Sequence, residues 1–130
     1  MSGVRRFGQL VRVRPESVEA YERLHAAPWP AVLAAIRRAN IRNYSIYRYD
    51  GLLFGYYEYA GDDYQADMAT MAADPEVKAW WALTDAMQEP FPERRAGSWW
   101  LDLPEIFHAD SDAVGPEATP GLDPPGDRQA

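Results

Sequence analysis

The chain has no cysteine, which excludes a disulfide framework, thiolate catalysis and zinc–thiolate ligation at once. It has only two histidines, His25 and His108, far apart in the chain. No His-x-His or His-x₃-His spacing occurs, so no metal site is expected. No run of about 18 apolar residues is present, which removes a membrane-spanning helix from expectation. Arg5 and Arg6 lie near the start, but no apolar stretch follows them as a secretory signal would require, and the cytoplasm is the default compartment. A Gly-rich phosphate loop, a Gly-x-Ser-x-Gly elbow and a dinucleotide fingerprint are all missing. Any chemistry is expected to run without cofactors. Clustered basic charge is lacking too: the net charge is −7, which argues against binding nucleic acid through its phosphates. Part of that charge is peripheral, because the segment from Ala109 carries Asp110, Asp112, Glu117, Asp123 and Asp127 against Arg128 alone.

What is present in quantity is aromatic surface. Five Trp, eight Tyr and four Phe stand in 130 residues that are 47% hydrophobic, enough to fill one core and line a pocket. Length predicts a single domain. Residues 1–108 carry all the aromatic side chains. Residues 109–130 are Asp, Gly, Pro, Ala, Thr and Glu with almost no large apolar residue, and predict a disordered acidic tail.

Phe7 to Val13 alternates as a strand. Pro15 suits a first helical position, and Val18, Tyr21 and His25 then recur on one helical stripe. Pro28 and Pro30 interrupt this helix, and a second runs from about Trp29 to Ala39, with Asn40 as a left-handed stop. Arg42 to Tyr49 has period two, placing Tyr44, Ile46 and Arg48 on one face. Asp50-Gly51 then signals a hairpin into a strand from Leu52 to Tyr59. A helical region follows to about Ala72, and Asp74-Pro75-Glu76 starts another helix carrying Val77, Trp80, Trp81 and Met87. Pro90 and Pro92 end it, and Ser98 to His108 is expected as the last strand, bent at Pro104. This order predicts an α+β fold, ferredoxin-like, with an antiparallel sheet backed by helices on one face. The other sheet face needs a cover, and a second copy of the chain would supply it as a homodimer.

Tyr21 and His25 are the first candidate site residues. Four residues apart on a helix, they set a phenol beside an imidazole, the side chain whose ordinary pKa suits proton transfer near neutrality. The alternative is an amphipathic pair packing into the core. Adjacent Trp80 and Trp81 point about 100° apart, so one packs and the other walls a cavity. Indole faces suit the C–H face of a sugar or another ring. Tyr44 can bring a hydroxyl to the same cavity mouth. Glu58 and Glu105 are the acids placed in strands, where an acid is more often paired or solvated than catalytic, and Arg23 is placed to pair with Glu19.

In order and spacing, Tyr21-x₃-His25 with Trp29-Pro30, Asn43-Tyr44-Ser45-Ile46-Tyr47, Leu53-Phe54, Trp80-Trp81 with Thr84-Asp85 and Met87, and Glu105-Ile106-Phe107-His108 resemble the L-rhamnose mutarotases over roughly residues 4–108. The resemblance implies a dimeric α+β barrel whose last strand helps tie two subunits together. It implies a cofactor-free aldose 1-epimerase of the cytoplasm acting on a small sugar. His25 matches the family's general acid, and Tyr21, Tyr44, Trp80 and Trp81 match its sugar-binding residues. The chain departs from the pattern in Ala31-Val32 after Trp-Pro, in Tyr64, and in the segment from Glu89 to Trp100 with its Trp99-Trp100 pair. Two competing readings use the same residues. One is a cofactor-free dimeric α+β barrel monooxygenase acting on an aromatic substrate, and the other a sugar-binding module without turnover.

Overall fold

A computed structural model describes residues 3–110. Apart from Ala109 and Asp110, the expected tail lies outside the described residues. Five strands form one sheet: β1 (Arg5–Val13), β2 (Ile41–Tyr49), β3 (Leu52–Tyr59), β4 (Gln88–Glu89) and β5 (Leu101–Leu103). Helices α1 (Val18–Ala26) and α2 (Pro30–Arg38) lie between β1 and β2, and α3 (Tyr64–Ala73) and α4 (Pro75–Met87) between β3 and β4. The sheet order is β2-β3-β1-β4, with β5 also paired to β1 and every pairing antiparallel. This is the expected ferredoxin-like arrangement, the subunit architecture of the dimeric α+β barrels.

Local chemistry explains most boundaries. A single 3-10 turn, Pro15–Ser17, precedes α1, so the helix proper starts later than Pro15 predicts. Pro30 occupies the first turn of α2, where its missing N–H costs nothing. Asp63 caps α3 by accepting from the Ala66 N–H at 3.1 Å, and Asp74 caps α4 by accepting from the Glu76 N–H at 2.8 Å. Asn40 sits at φ 64° and Asp50 at φ 51°, the left-handed conformation that Asn and Asp tolerate best after glycine.

The last strand differs from expectation. Instead of one strand over 98–108, two short pieces share the edge of β1: Gln88 and Glu89 oppose Val13 and Arg12, while Leu101–Leu103 oppose Leu10–Gly8. The excursion between them, with Pro90 and Pro92, leaves the sheet and returns. Past Leu103 the chain is held to β1 by a bidentate Arg6–Glu105 pair, 2.8 and 3.0 Å, without ladder pairing.

Register assigns the faces. Val11 opposes Leu53 and Phe7 opposes Tyr57, and these side chains face the helices, where Val11, Val13, Leu53 and Tyr21 form one buried cluster. In β2 the period slips once. Asn43 and Tyr44 together stand against the single residue Tyr57, a β-bulge with Asn43 at φ 52°. The Asn43 amide donates to Glu58 at 2.9 Å, and past the bulge Tyr44, Ile46 and Arg48 share the helix face. Leu10, Leu52, Phe54, Leu101 and Leu103 occupy the opposite face, with Phe54 still 38% exposed. Among the described residues no helix is long and apolar enough to cross a membrane.

Candidate active site

Helix α1 brings Tyr21 and His25 together as their spacing predicts. Their rings stack with centroids 4.2 Å apart. His25 Nδ1 lies 2.9 Å from the Tyr21 backbone oxygen. A carbonyl only accepts, so Nδ1 carries the proton and Nε2 is the basic nitrogen. Burial lowers the His25 pKa below its ordinary value, with the bond to Tyr21 opposing more weakly. The imidazole is therefore neutral at pH 7.

Trp80 meets His25 edge-on at 5.2 Å and Trp29 edge-on at 5.1 Å. Trp80 is 7% exposed and Trp81 is 39% exposed. Of the pair, Trp80 is the one packed into the aromatic cluster, and Trp81 stands at the surface one helical step away. An ion pair between Arg48 and Glu22 ties α1 to the face of β2 that carries Tyr44. Tyr44 is 41% exposed, and desolvation, then the nearby Tyr64 phenol, push its pKa up to about 12. Tyr21 is raised first by burial and next by Tyr44 itself. The two phenols thus lie within electrostatic reach, one from a helix and one from the sheet. A surface concavity of about 650 Å³ opens between α2 and β2, lined by Ile36, Arg37, Ile41, Tyr44 and Glu58. Tyr44 belongs to its lining and His25 does not.

The other polar candidates have structural partners. Glu58 accepts from the Tyr56 hydroxyl at 2.7 Å and from Asn43, which hold its pKa below the usual value. Glu105 pairs with Arg6, and Arg23 lies 4.0 Å from Glu19. Tyr64 is part of the aromatic packing, stacked on Phe7 and sharing a 2.6 Å hydrogen bond with Tyr57.

One residue at the cluster had no signal in the sequence. Gln88, 3% exposed in β4, donates from Nε2 to the Tyr21 hydroxyl at 3.0 Å. Its Oε1 accepts from the Trp99 indole N–H at 2.7 Å. Trp100, from the returning excursion, covers Gly55 so closely that a Cβ there would lie 3.1 Å from the indole. Both tryptophans pack against the Val11, Val13, Leu53 and Tyr21 cluster. A neutral imidazole with an unbonded ring nitrogen, close to phenols and indoles, is a set of groups able to move protons on an uncharged, hydroxylated ligand.

The family model for L-rhamnose mutarotase matches residues 6–109. An L-rhamnose mutarotase of Ligilactobacillus salivarius is 34% identical over 110 residues, covering 81% of this chain and 97% of that protein. An L-fucose mutarotase of Xanthomonas campestris is 35% identical over 101 residues, covering 75% of this chain and 79% of that protein. The crystal structure of an L-rhamnose mutarotase from Formosa agariphila superposes with a TM-score of 0.64 at 20% identity, covering 82% and 99% of the two chains.

Proposed function

The chain belongs to the L-rhamnose mutarotase family, and from that premise we propose that it interconverts the α and β pyranose anomers of L-rhamnose by general acid–base catalysis, an aldose 1-epimerase reaction. The observation that carries the reading is the His25 tautomer, with Nδ1–H bound to the Tyr21 carbonyl and Nε2 left as a base. Ring opening passes the O1 proton to His25 and adds a proton drawn from solvent to O5 as the C1–O5 bond breaks, and that proton goes back to solvent on closure. Rotation about C1–C2 presents the other aldehyde face, and closure returns both protons. His25 takes the O1 proton as a base in opening and gives it back as an acid in closure, so nothing is consumed. Tyr21 and Tyr44 supply hydroxyls to the sugar, and Trp80 and Trp81 supply apolar walls. No cofactor enters. The test is anomer exchange on L-rhamnose by NMR saturation transfer, with L-fucose and D-glucose beside it. Exchange no faster than in buffer for every sugar would sink the reading.

The neutral imidazole gives this activity a defined pH dependence. The working form loses its lone pair only when pH falls through the depressed His25 pKa. The rate is expected to hold from pH 8 to below about 6.5, the ordinary imidazole value, before it drops. A rate already halved at pH 7 would contradict a neutral His25. Stability has the same sign, because the unfolded chain binds this proton more readily, so stability rises with pH across the window between the two pKa values.

We further take the chain to be a cytoplasmic homodimer closed sheet on sheet. Leu10, Leu52, Phe54, Leu101 and Leu103 form an apolar face opposite the helices, too contiguous to suit solvent. Phe54→Glu is expected to halve the mass found by light scattering while leaving the circular dichroism spectrum unchanged. A wild type of single-chain mass would refute the dimer.

A further inference from the structure

The polar chain Trp99–Gln88–Tyr21 has a direction. An indole N–H can only donate, so the Trp99 contact at 2.7 Å fixes which end of the Gln88 amide is oxygen. The NH₂ end is thereby aimed at Tyr21, 3.0 Å away. An NH₂ group can only donate, so the Tyr21 oxygen accepts. Among the described residues, the Tyr21 hydroxyl hydrogen then has no acceptor within the protein. Resting on the sugar-isomerase reading above, we propose that Gln88, clamped by Trp99, is a positioning residue that commits Tyr21 to donate its hydroxyl hydrogen to the sugar oxygen that gains charge as the ring opens.

Two further features fit this role. Gln88 is 3% exposed, and a buried amide left half-paired would be costly, whereas here each end is used. The clamp also has a fixed base, because it comes from the excursion carrying Trp99 and Trp100. Trp100 seats that excursion on Gly55, so the sheet itself sets where Trp99 stands. Gln88 touches no reacting atom. Its effect is to choose, between the two ways a phenol can share a hydrogen bond, the one that faces the ligand with a donor.

Gln88→Glu keeps the size and reverses the polarity: a carboxylate accepts from Tyr21 and captures its hydrogen. Trp99→Phe keeps a ring in place and frees the amide to turn over, so it carries the test if a buried carboxylate prevents folding. Rhamnose exchange measured by saturation transfer is expected to fall about tenfold in kcat for Gln88→Glu and several-fold for Trp99→Phe, with KM within about twofold. In a Tyr21→Phe background neither change has further effect, since both act through the missing hydroxyl. Losses that add to that of Tyr21→Phe, or that fall on KM alone, would mean simple packing and overturn the proposal. Unaltered rates in both variants overturn it as well, while wild-type activity leaves the function standing. A wild type that accelerates no exchange removes the function and this inference together.

Discussion

His25→Gln is expected to lower the catalysed rate of L-rhamnose anomer exchange by about 10²- to 10⁴-fold, the usual worth of a positioned acid–base group. Sugar affinity, read by tryptophan fluorescence, is expected to change only a few-fold. The asymmetry follows from the site. Tyr21, Tyr44 and the indoles remain, and glutamine keeps a polar tip beside Trp80, but nothing with a lone pair of suitable basicity stands where Nε2 was. Spontaneous mutarotation continues beneath the loss and sets its floor, so the catalysed fraction is the quantity to report. The same variant separates the competing readings, because a sugar-binding module without turnover has no rate to lose. A variant that keeps most of the wild-type rate would remove His25 from the chemistry.

The second large effect concerns what lies under the site. Leu53 is 1% exposed and packs with Val11, Val13 and Tyr21. Leu53→Ala opens a cavity among side chains fixed on two neighbouring strands and a helix, with little freedom to collapse. It is expected to cost about 2–5 kcal/mol, lowering Tm by roughly 10–30 °C for a domain this size. Leu52, its neighbour in sequence, lies on the opposite face, so Leu52→Ala is expected to weaken self-association and leave the fold largely intact. Calorimetry for Leu53→Ala and light scattering for Leu52→Ala check the pair. Equal thermal losses at the two positions would contradict the assignment of faces.

Where one local interaction decides the structure, the sequence is readable. Asp74-Pro75-Glu76 caps α4 because the carboxylate reaches the free N–H groups within its own turn. Asp50-Gly51 turns the chain, and Tyr21 and His25 meet because a helix repeats every 3.6 residues. Reading fails where a partner comes from far along the chain. Gln88 closes a helical pattern, and nothing nearby says that its amide joins Tyr21, 67 residues earlier, to Trp99. Trp99 and Trp100 stand out by composition alone, and their roles depend on an excursion whose return point is set by Gly55 and the edge of β1. The same long-range pairing explains the expected strand over 98–108. Its alternation is visible, but how much of it finds a free edge depends on β4 having already taken part of β1. The Trp80-Trp81 pair falls between these cases: periodicity predicts that the two diverge, and only packing selects which one meets His25.

The bulge at Asn43 makes β2 a strand with two reading frames. Upstream of it Ile41 faces the helices, and downstream Tyr44, Ile46 and Arg48 do so only because one extra residue has been absorbed. Substitutions at Asn43 act on the Glu58 bond and on the comfort of a left-handed residue. Losing the residue altogether would leave Tyr44 alone opposite Tyr57 in a regular ladder with its face unchanged, whereas keeping Asn43 and flattening the bulge would turn Tyr44 to the far side of the sheet together with every side chain up to the hairpin. One residue fewer at this point is therefore compatible with the same faces, and what β2 cannot do is keep its length and lose its kink.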